Sequence, residues 1–221
     1  MAGTMLNEVP ALPAASAIIL RDDPFEVLML RRPESASFVP NAWVFPGGMT
    51  EEVDRELTAS ALDAMKITAA RETFEETGVW LGAPLGDAEE SRARLSAGTL
   101  SLRELLAENP LDLDSLVYTA HWITPVGIPK RFDTYFFLAT VTRDVVARAE
   151  LREAAEVRWI HPAEALDRHA AKEMQMVFPT LRSLEALAGF DHARDLMESR
   201  RGATIEAILP VLVNGKPTLG R

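Results

Sequence analysis

The sequence predicts an α/β chain, an α/β/α sandwich around a mixed sheet. Three observations carry that reading. Short β-rich runs alternate with stretches of helical periodicity. No internal repeat of about 20–50 residues interrupts the alternation. Hydrophobic residues make up 48 % of the 221, enough for a sizeable core. Interleaving of this kind builds helices over both faces of a sheet. One domain over residues 1–221 is expected, with a core over about 14–170 and a helical and hairpin extension over about 173–221.

Taken in order, residues 16–20 and 27–31 read as a hairpin around the turn Asp22-Asp23-Pro24. A loop follows to Pro40, then a brief strand over 43–45 that a Pro46-Gly47-Gly48 turn stops. Such a turn lets a ligand or metal approach main-chain carbonyls, although a plain tight turn uses the same residues. Ser60 and Asp63 suit a capping box for a helix that runs to Thr77, where Gly78 closes it as a left-handed C-cap. Trp80-Leu81 is expected to enter another strand. Residues 87–109 carry Leu95, Leu102, Leu105 and Leu106 at helical spacing and read as a helical insert ending at Pro110. Strands are expected over 117–123 and 134–141, joined by a loop holding Lys130 and Arg131, and again over 157–161 before a helix opened by Pro162. Residues 174–199 read as two helices split at Gly189, and 204–216 as a terminal hairpin around Asn214-Gly215. With no chemical motif, this last part is assigned to packing, homodimer formation or a lid.

Charge and composition narrow the function. With 23 basic and 33 acidic residues the net charge is −10, which argues against sequence-independent binding to nucleic acid or an anionic membrane. The absence of cysteine excludes disulfides, thiolate metal sites and a cysteine nucleophile, and suits a cytoplasmic protein. The apolar run over 11–20 follows no Lys or Arg and is broken by Arg21-Asp22-Asp23-Pro24. It is too short for a membrane span and unlike a signal peptide.

The chemistry concentrates in residues 70–79, Ala-Arg-Glu-Thr-Phe-Glu-Glu-Thr-Gly-Val. On a helix, Ile67, Ala70 and Phe74 share an apolar stripe while Glu72, Glu75 and Glu76 share another arc. Like charges at this spacing repel by about 0.2–0.5 kcal/mol per pair, and carboxylates in the last turn face the negative end of the dipole. A bound cation removes both penalties, and three carboxylates within reach of one another suit Mg²⁺ or Mn²⁺. A solvated Glu-rich face is the alternative, so the surrounding residues must decide.

Phe45-Pro46-Gly47-Gly48 with Arg71-Glu72-Thr73-Phe74-Glu75-Glu76-Thr77-Gly78-Val79 resembles the signature of the Nudix hydrolases, G-x5-E-x7-R-E-U-x-E-E-x-G-U, where U is bulky and apolar. Thr73 departs from the first bulky position. The stretch between Gly48 and Arg71 is about nine residues longer than the pattern, so the box over 47–79 carries an insertion, and Asp54 and Asp63 are two imperfect stand-ins for its lone Glu. An insertion there is similar to one Nudix branch that includes acyl-coenzyme A diphosphatases. The phrases over 37–48 and 129–137 resemble that branch as well, except that its coenzyme A signature asks for Arg and Gly where this chain has Ser37 and Asn41.

The resemblance implies a Nudix-type sandwich and hydrolysis of a nucleoside diphosphate linked to another moiety, with Mg²⁺ or Mn²⁺ as cofactor. It implies that Glu72, Glu75 and Glu76 hold the metal together with the carbonyl of Gly47, and that Arg71 supports them by ion pairing. The base is expected in the acidic loop before Trp159, with Glu153 the first choice and Glu156 the second. Arg31, Gly48, Lys130 and Arg131 are assigned to substrate phosphates. Trp43, Trp122 and Tyr135 suit either adenine stacking or the core. The expected substrate is coenzyme A or acyl-coenzyme A; NADH, ADP-ribose or another dinucleotide is the alternative, and a non-hydrolytic Nudix-fold binding module is the reading from another class.

Overall fold

The computed structural model describes residues 9–219; residues 1–8 and 220–221, part of the single domain expected over 1–221, lie outside them. In chain order the elements are β1 (Ala11–Arg21), β2 (Glu26–Arg31), β3 (Trp43–Val44), β4 (Gly47–Met49), α1 (Glu52–Glu56), α2 (Ala61–Thr77), α3 (Ala88–Ser96) and α4 (Leu102–Glu108). They continue with β5 (Val117–Ile123), β6 (Arg131–Thr140), β7 (Glu156–Ile160), α5 (Pro162–Ala170), α6 (Phe178–Leu187), α7 (Ala193–Arg200), β8 (Ala207–Ile208), β9 (Val211–Val213) and β10 (Lys216–Thr218).

Alternation along the strands explains why the sheet is covered on both faces. Ile18 and Leu20 of β1 join one core cluster, while Ala15, Ala17 and Ile19 join another. Phe136 and Leu138 of β6 divide from Phe137 and Ala139 in the same way. α5, α6 and α7 close the first face through Ala165, Leu184 and Leu196, and α2 closes the second through Ala64, Ala69 and Ala70. The small residues of α2 let it lie close to β1. The sheet is mixed, in the order β3-β2-β1-β6-β5-β8, with β4 paired to β1 and β7 to β2. β1 runs parallel to β6, and β5 parallel to β8.

Three local expectations are corrected and one, the helical insert, is refined. Pro46-Gly47-Gly48 does not turn: Gly47 and Gly48 pair with Ser16 and Ala15 as β4, because β1 extends back to Ala11 and offers its free edge there. Trp80-Leu81 is not a strand; only Gly82 makes an isolated bridge, to Leu111. The helical insert is two helices, parted where Gly98 takes a φ of 69°. Arg131 belongs to β6 rather than to the preceding loop. The terminal hairpin forms as β9 and β10, with Asn214 and Gly215 both at positive φ. Two elements had no sequence signal strong enough to read: α1, of five residues, and β8, of two.

Candidate active site

α2 is fixed at both ends before its carboxylates come into play. Ser60 accepts a hydrogen bond from the Asp63 amide at 3.2 Å, and Gly78 closes the helix at a φ of 72°. Three buried threonines on this helix, Thr68, Thr73 and Thr77, each return a hydroxyl hydrogen bond to the carbonyl four residues back. Thr73 therefore sits in the core with its polar group satisfied, which accounts for a threonine where the signature has a bulky apolar residue. The last-turn carbonyls are satisfied from outside the helix. Arg148 and Glu150 donate their amides to Thr77 and Glu76 at 2.8 and 3.0 Å, and this docks the loop carrying Glu153 beside the helix.

Arg71 organises the carboxylates. Burial opposes its charge, but Asp54, Glu72 and Glu75 reverse that effect and hold the guanidinium firmly cationic. Nε and one Nη2 proton go to Asp54 at 3.0 and 2.9 Å, the other Nη2 proton goes to the Met49 carbonyl, and Nη1 reaches Glu72 and Glu75 at 2.9 and 3.0 Å. Every guanidinium proton is used. Asp54, fully buried, also accepts from the Glu51 amide across α1 and shares the single Thr68 hydroxyl proton with the Ala64 carbonyl. Of the two stand-ins for the lone signature Glu, Asp54 meets Arg71, while Asp63 lies at the start of α2 beside Lys66. The extra residues are thus accommodated after Asp54, in the end of α1, the turn that follows it and the first turns of α2.

β4 brings its glycines against the same helix. The Gly47 amide donates to Glu76 Oε2 at 2.9 Å. A Cβ on Gly48 would stand 2.4 Å from the Glu72 carboxyl carbon. Gly48→Ala is therefore expected to melt near the wild-type temperature, since a flexible carboxylate can swing aside, yet to lose about a hundredfold in turnover because Glu72 is displaced by about 1 Å. Unchanged kinetics would show that Glu72 need not stand where it does.

Burial is the largest effect on all three glutamates. It raises Glu72 against the pull of Arg71, raises Glu75 to about 7, and drives Glu76 well above the usual carboxylate range with help from the Glu72 charge. Among the described residues no group of three His, Asp or Glu stands arranged as a ready cation cage, and Arg71 and the Gly47 amide hold one oxygen of each of the three glutamates. The raised values fix a sign. A proton held to higher pH in the folded chain than in the unfolded one stabilises the fold at low pH, and that stabilisation disappears as pH rises through about 7 for Glu75. Melting temperature in chelator should fall from about pH 5 to about pH 8, and Glu75→Gln should flatten the fall. A rise over that interval would contradict the assignment.

These groups line one wall of a cavity of about 900 Å³, and Glu153 joins Glu72, Glu75 and Glu76 there. The chain matches the model of the NUDT19 Nudix domain over residues 58–187, well over half its length. The chain belongs to the Nudix hydrolase family. A protein of Caenorhabditis elegans that carries the name nudix hydrolase 7 is 32 % identical over 79 % of this chain and 60 % of its own length. The chicken (Gallus gallus) acyl-coenzyme A diphosphatase NUDT19 is 28 % identical over 78 % of this chain and 63 % of its own length. The chain thus spans about three fifths of these two relatives. The crystal structure of a Nudix hydrolase from Alicyclobacillus acidocaldarius superposes with a TM-score of 0.77 at 28 % identity, covering 86 % of this chain and 96 % of that one.

The remaining residues proposed for a Nudix site divide by position. Gly47, Gly48 and Lys130 line the cavity; Arg31, Arg131 and Glu156 do not. Arg31 pairs with Glu156, which also meets Arg158, and Arg131 is buried with its guanidinium on the carbonyls of Thr124 and Val9. Two cations missed in the sequence line the cavity instead, Arg32 and Arg152. Strand alternation was the signal for the first, because neighbours at the end of β2 point to opposite faces. Of the three candidate stacking aromatics only Trp122 lines the cavity; Trp43 is in the core and Tyr135 lies on the other face of the sheet. No helix among the described residues is long and apolar enough to cross a membrane.

Proposed function

We propose that this chain hydrolyses a nucleoside diphosphate linked to another moiety, with coenzyme A or acyl-coenzyme A as substrate and Mg²⁺ or Mn²⁺ as cofactor. The observation that carries the reading is a single cavity wall bearing Glu72, Glu75, Glu76 and Glu153, with Arg32, Lys130 and Arg152 facing the same space. The donor set fits a hard divalent cation. Glu76 is a buried carboxylate relieved by one backbone amide and opposed by Glu72, an imbalance that a cation corrects. Glu72, Glu75 and Glu76, with the Gly47 carbonyl, are the proposed ligands. When bound, the metal neutralises phosphate oxygens and acidifies water.

The chain's own residues supply the rest. Arg71 keeps Glu72 and Glu75 facing the cavity, while Arg32, Lys130 and Arg152 meet the diphosphate. Glu153 takes the proton of the attacking water as its oxygen bonds to phosphorus and the bridging P–O bond breaks. An adenosine bisphosphate and a phosphopantetheine, acylated or free, are the products.

Two details support coenzyme A despite the departures at Ser37 and Asn41. Asn41 adopts a φ of 59°, a left-handed conformation that glycine takes freely and that asparagine tolerates better than most other residues. Arg32, bonded at 3.0 Å to the carbonyl of Phe38 beside Ser37, brings a cation to the segment where the signature has arginine. A panel of coenzyme A, acyl-coenzyme A, NADH, ADP-ribose and diadenosine polyphosphates tests the reading. Turnover of the other nucleotides alone would sink it.

A further inference from the structure

Another part of the cavity lining has a different chemistry from the carboxylates. The hairpin of β9 and β10 contributes Pro210, Leu212 and Pro217 to the cavity, side chains without a hydrogen-bonding group. Its root is pinned, because β8 pairs with β5 at His121 and Trp122, and Leu212 Cδ1 packs over the Gly127 turn. Alternation turns Leu212 inward and Val211 and Val213 outward, each about half exposed. Leu209 and Leu219, next to the two strands in sequence, and Val126, next to Gly127, are also exposed, so the hairpin region carries apolar surface outside the cavity as well. Exposed apolar surface concentrated at the rim of a cavity marks a binding surface.

A purine does not suit this wall, since its edge donors and acceptors would go unpaired against proline and leucine. A chain of methylenes does. It asks only for apolar contact, and it can continue past the cavity along the outer stripe. We propose that the β9–β10 hairpin binds an apolar tail on the non-nucleotide half of the substrate, Leu212 gripping its proximal part and Val211 and Val213 its distal part. The inference rests on the diphosphatase reading and extends it, making chain length a determinant of specificity. Each methylene removed from water is worth up to about fourfold in affinity.

The test compares acetyl, octanoyl and dodecanoyl thioesters of coenzyme A as substrates, with dansylated undecanoic acid as a binding probe that needs no chemistry. In the wild type, kcat/KM is expected to rise with chain length through KM, and the probe to bind. Leu212→Asn should flatten the length dependence about tenfold and weaken the probe. The exposed double variant Val211→Ser/Val213→Ser should act on the dodecanoyl ester more than on the octanoyl ester, with folding unaffected. Length dependence and probe binding that survive both variants would overturn the tail site and leave the diphosphatase reading standing. Probe binding lost in the variants, with no thioester hydrolysed by the wild type, would keep the tail site and remove the proposed substrate. A shift from dimer to monomer in the double variant, with length dependence intact, would assign the stripe to a second copy of this chain and overturn the proposal.

Discussion

Asp54→Ala is expected to lose about 3–5 kcal/mol of stability, read as a drop in melting temperature or in the denaturant midpoint. Asp54 is fully buried and accepts four hydrogen bonds, two of them from Arg71 and one, from Thr68, shared with the Ala64 carbonyl. Its removal leaves a guanidinium that is itself only 4 % exposed with two protons unpaired and a smaller counter-charge. Glu72 and Glu75 remain on Arg71 and hold the cost to the lower half of that range. Asp54→Asn, which keeps an acceptor, should lose less. Activity should fall in both variants, because the ion pairs that orient Glu72 and Glu75 start from Arg71. A melting curve for Asp54→Ala that overlays the wild type would mean Arg71 is secured without Asp54.

Glu76→Gln separates stability from chemistry in the opposite direction. The carboxylate is almost wholly buried, and burial drives its proton affinity well above the usual range. A neutral amide of the same shape removes that penalty, so the metal-free variant should melt at or above the wild-type temperature. Turnover should fall by about a thousandfold, the several kcal/mol expected when charge stabilisation at the phosphoryl group is lost. Calorimetric titration with Mg²⁺ or Mn²⁺ should show the wild type binding and the variant failing to. Equal titration by both proteins would falsify the metal assignment and remove the hydrolase mechanism built on it.

The clearest sequence signals were those in which one short segment contains both the chemistry and its geometry. Residues 70–79 placed Glu72, Glu75 and Glu76 on one arc because helical spacing is a local property, and Gly78 marked the end for the same reason. Asp54 was legible only as one of two stand-ins. Choosing it over Asp63 required knowing that α1 folds back to bury it against Arg71. Arg31 and Arg32 are adjacent in sequence yet serve opposite faces, and only the pairing of β2 with β7 decides which one reaches the cavity. Gly47-Gly48 looked like a turn because those residues usually form one. β1 captured them as a strand, and their lack of side chains serves close approach to Ser16 and Glu72.

What the sequence determined by itself was the local scaffold of the proposed site: a Glu-rich helix with its C-cap, the Arg within it, and an α/β chain to carry them. Each follows from periodicity, capping and charge spacing over a few turns. The tertiary structure alone decided the cavity's membership. Glu153 arrives because loop amides satisfy the last carbonyls of α2, Arg32 by strand alternation, and the apolar wall because β8 anchors a C-terminal hairpin that carries no chemical motif. These are contacts between segments far apart in the chain, and local residue preference carries no information about which distant partner a segment will meet.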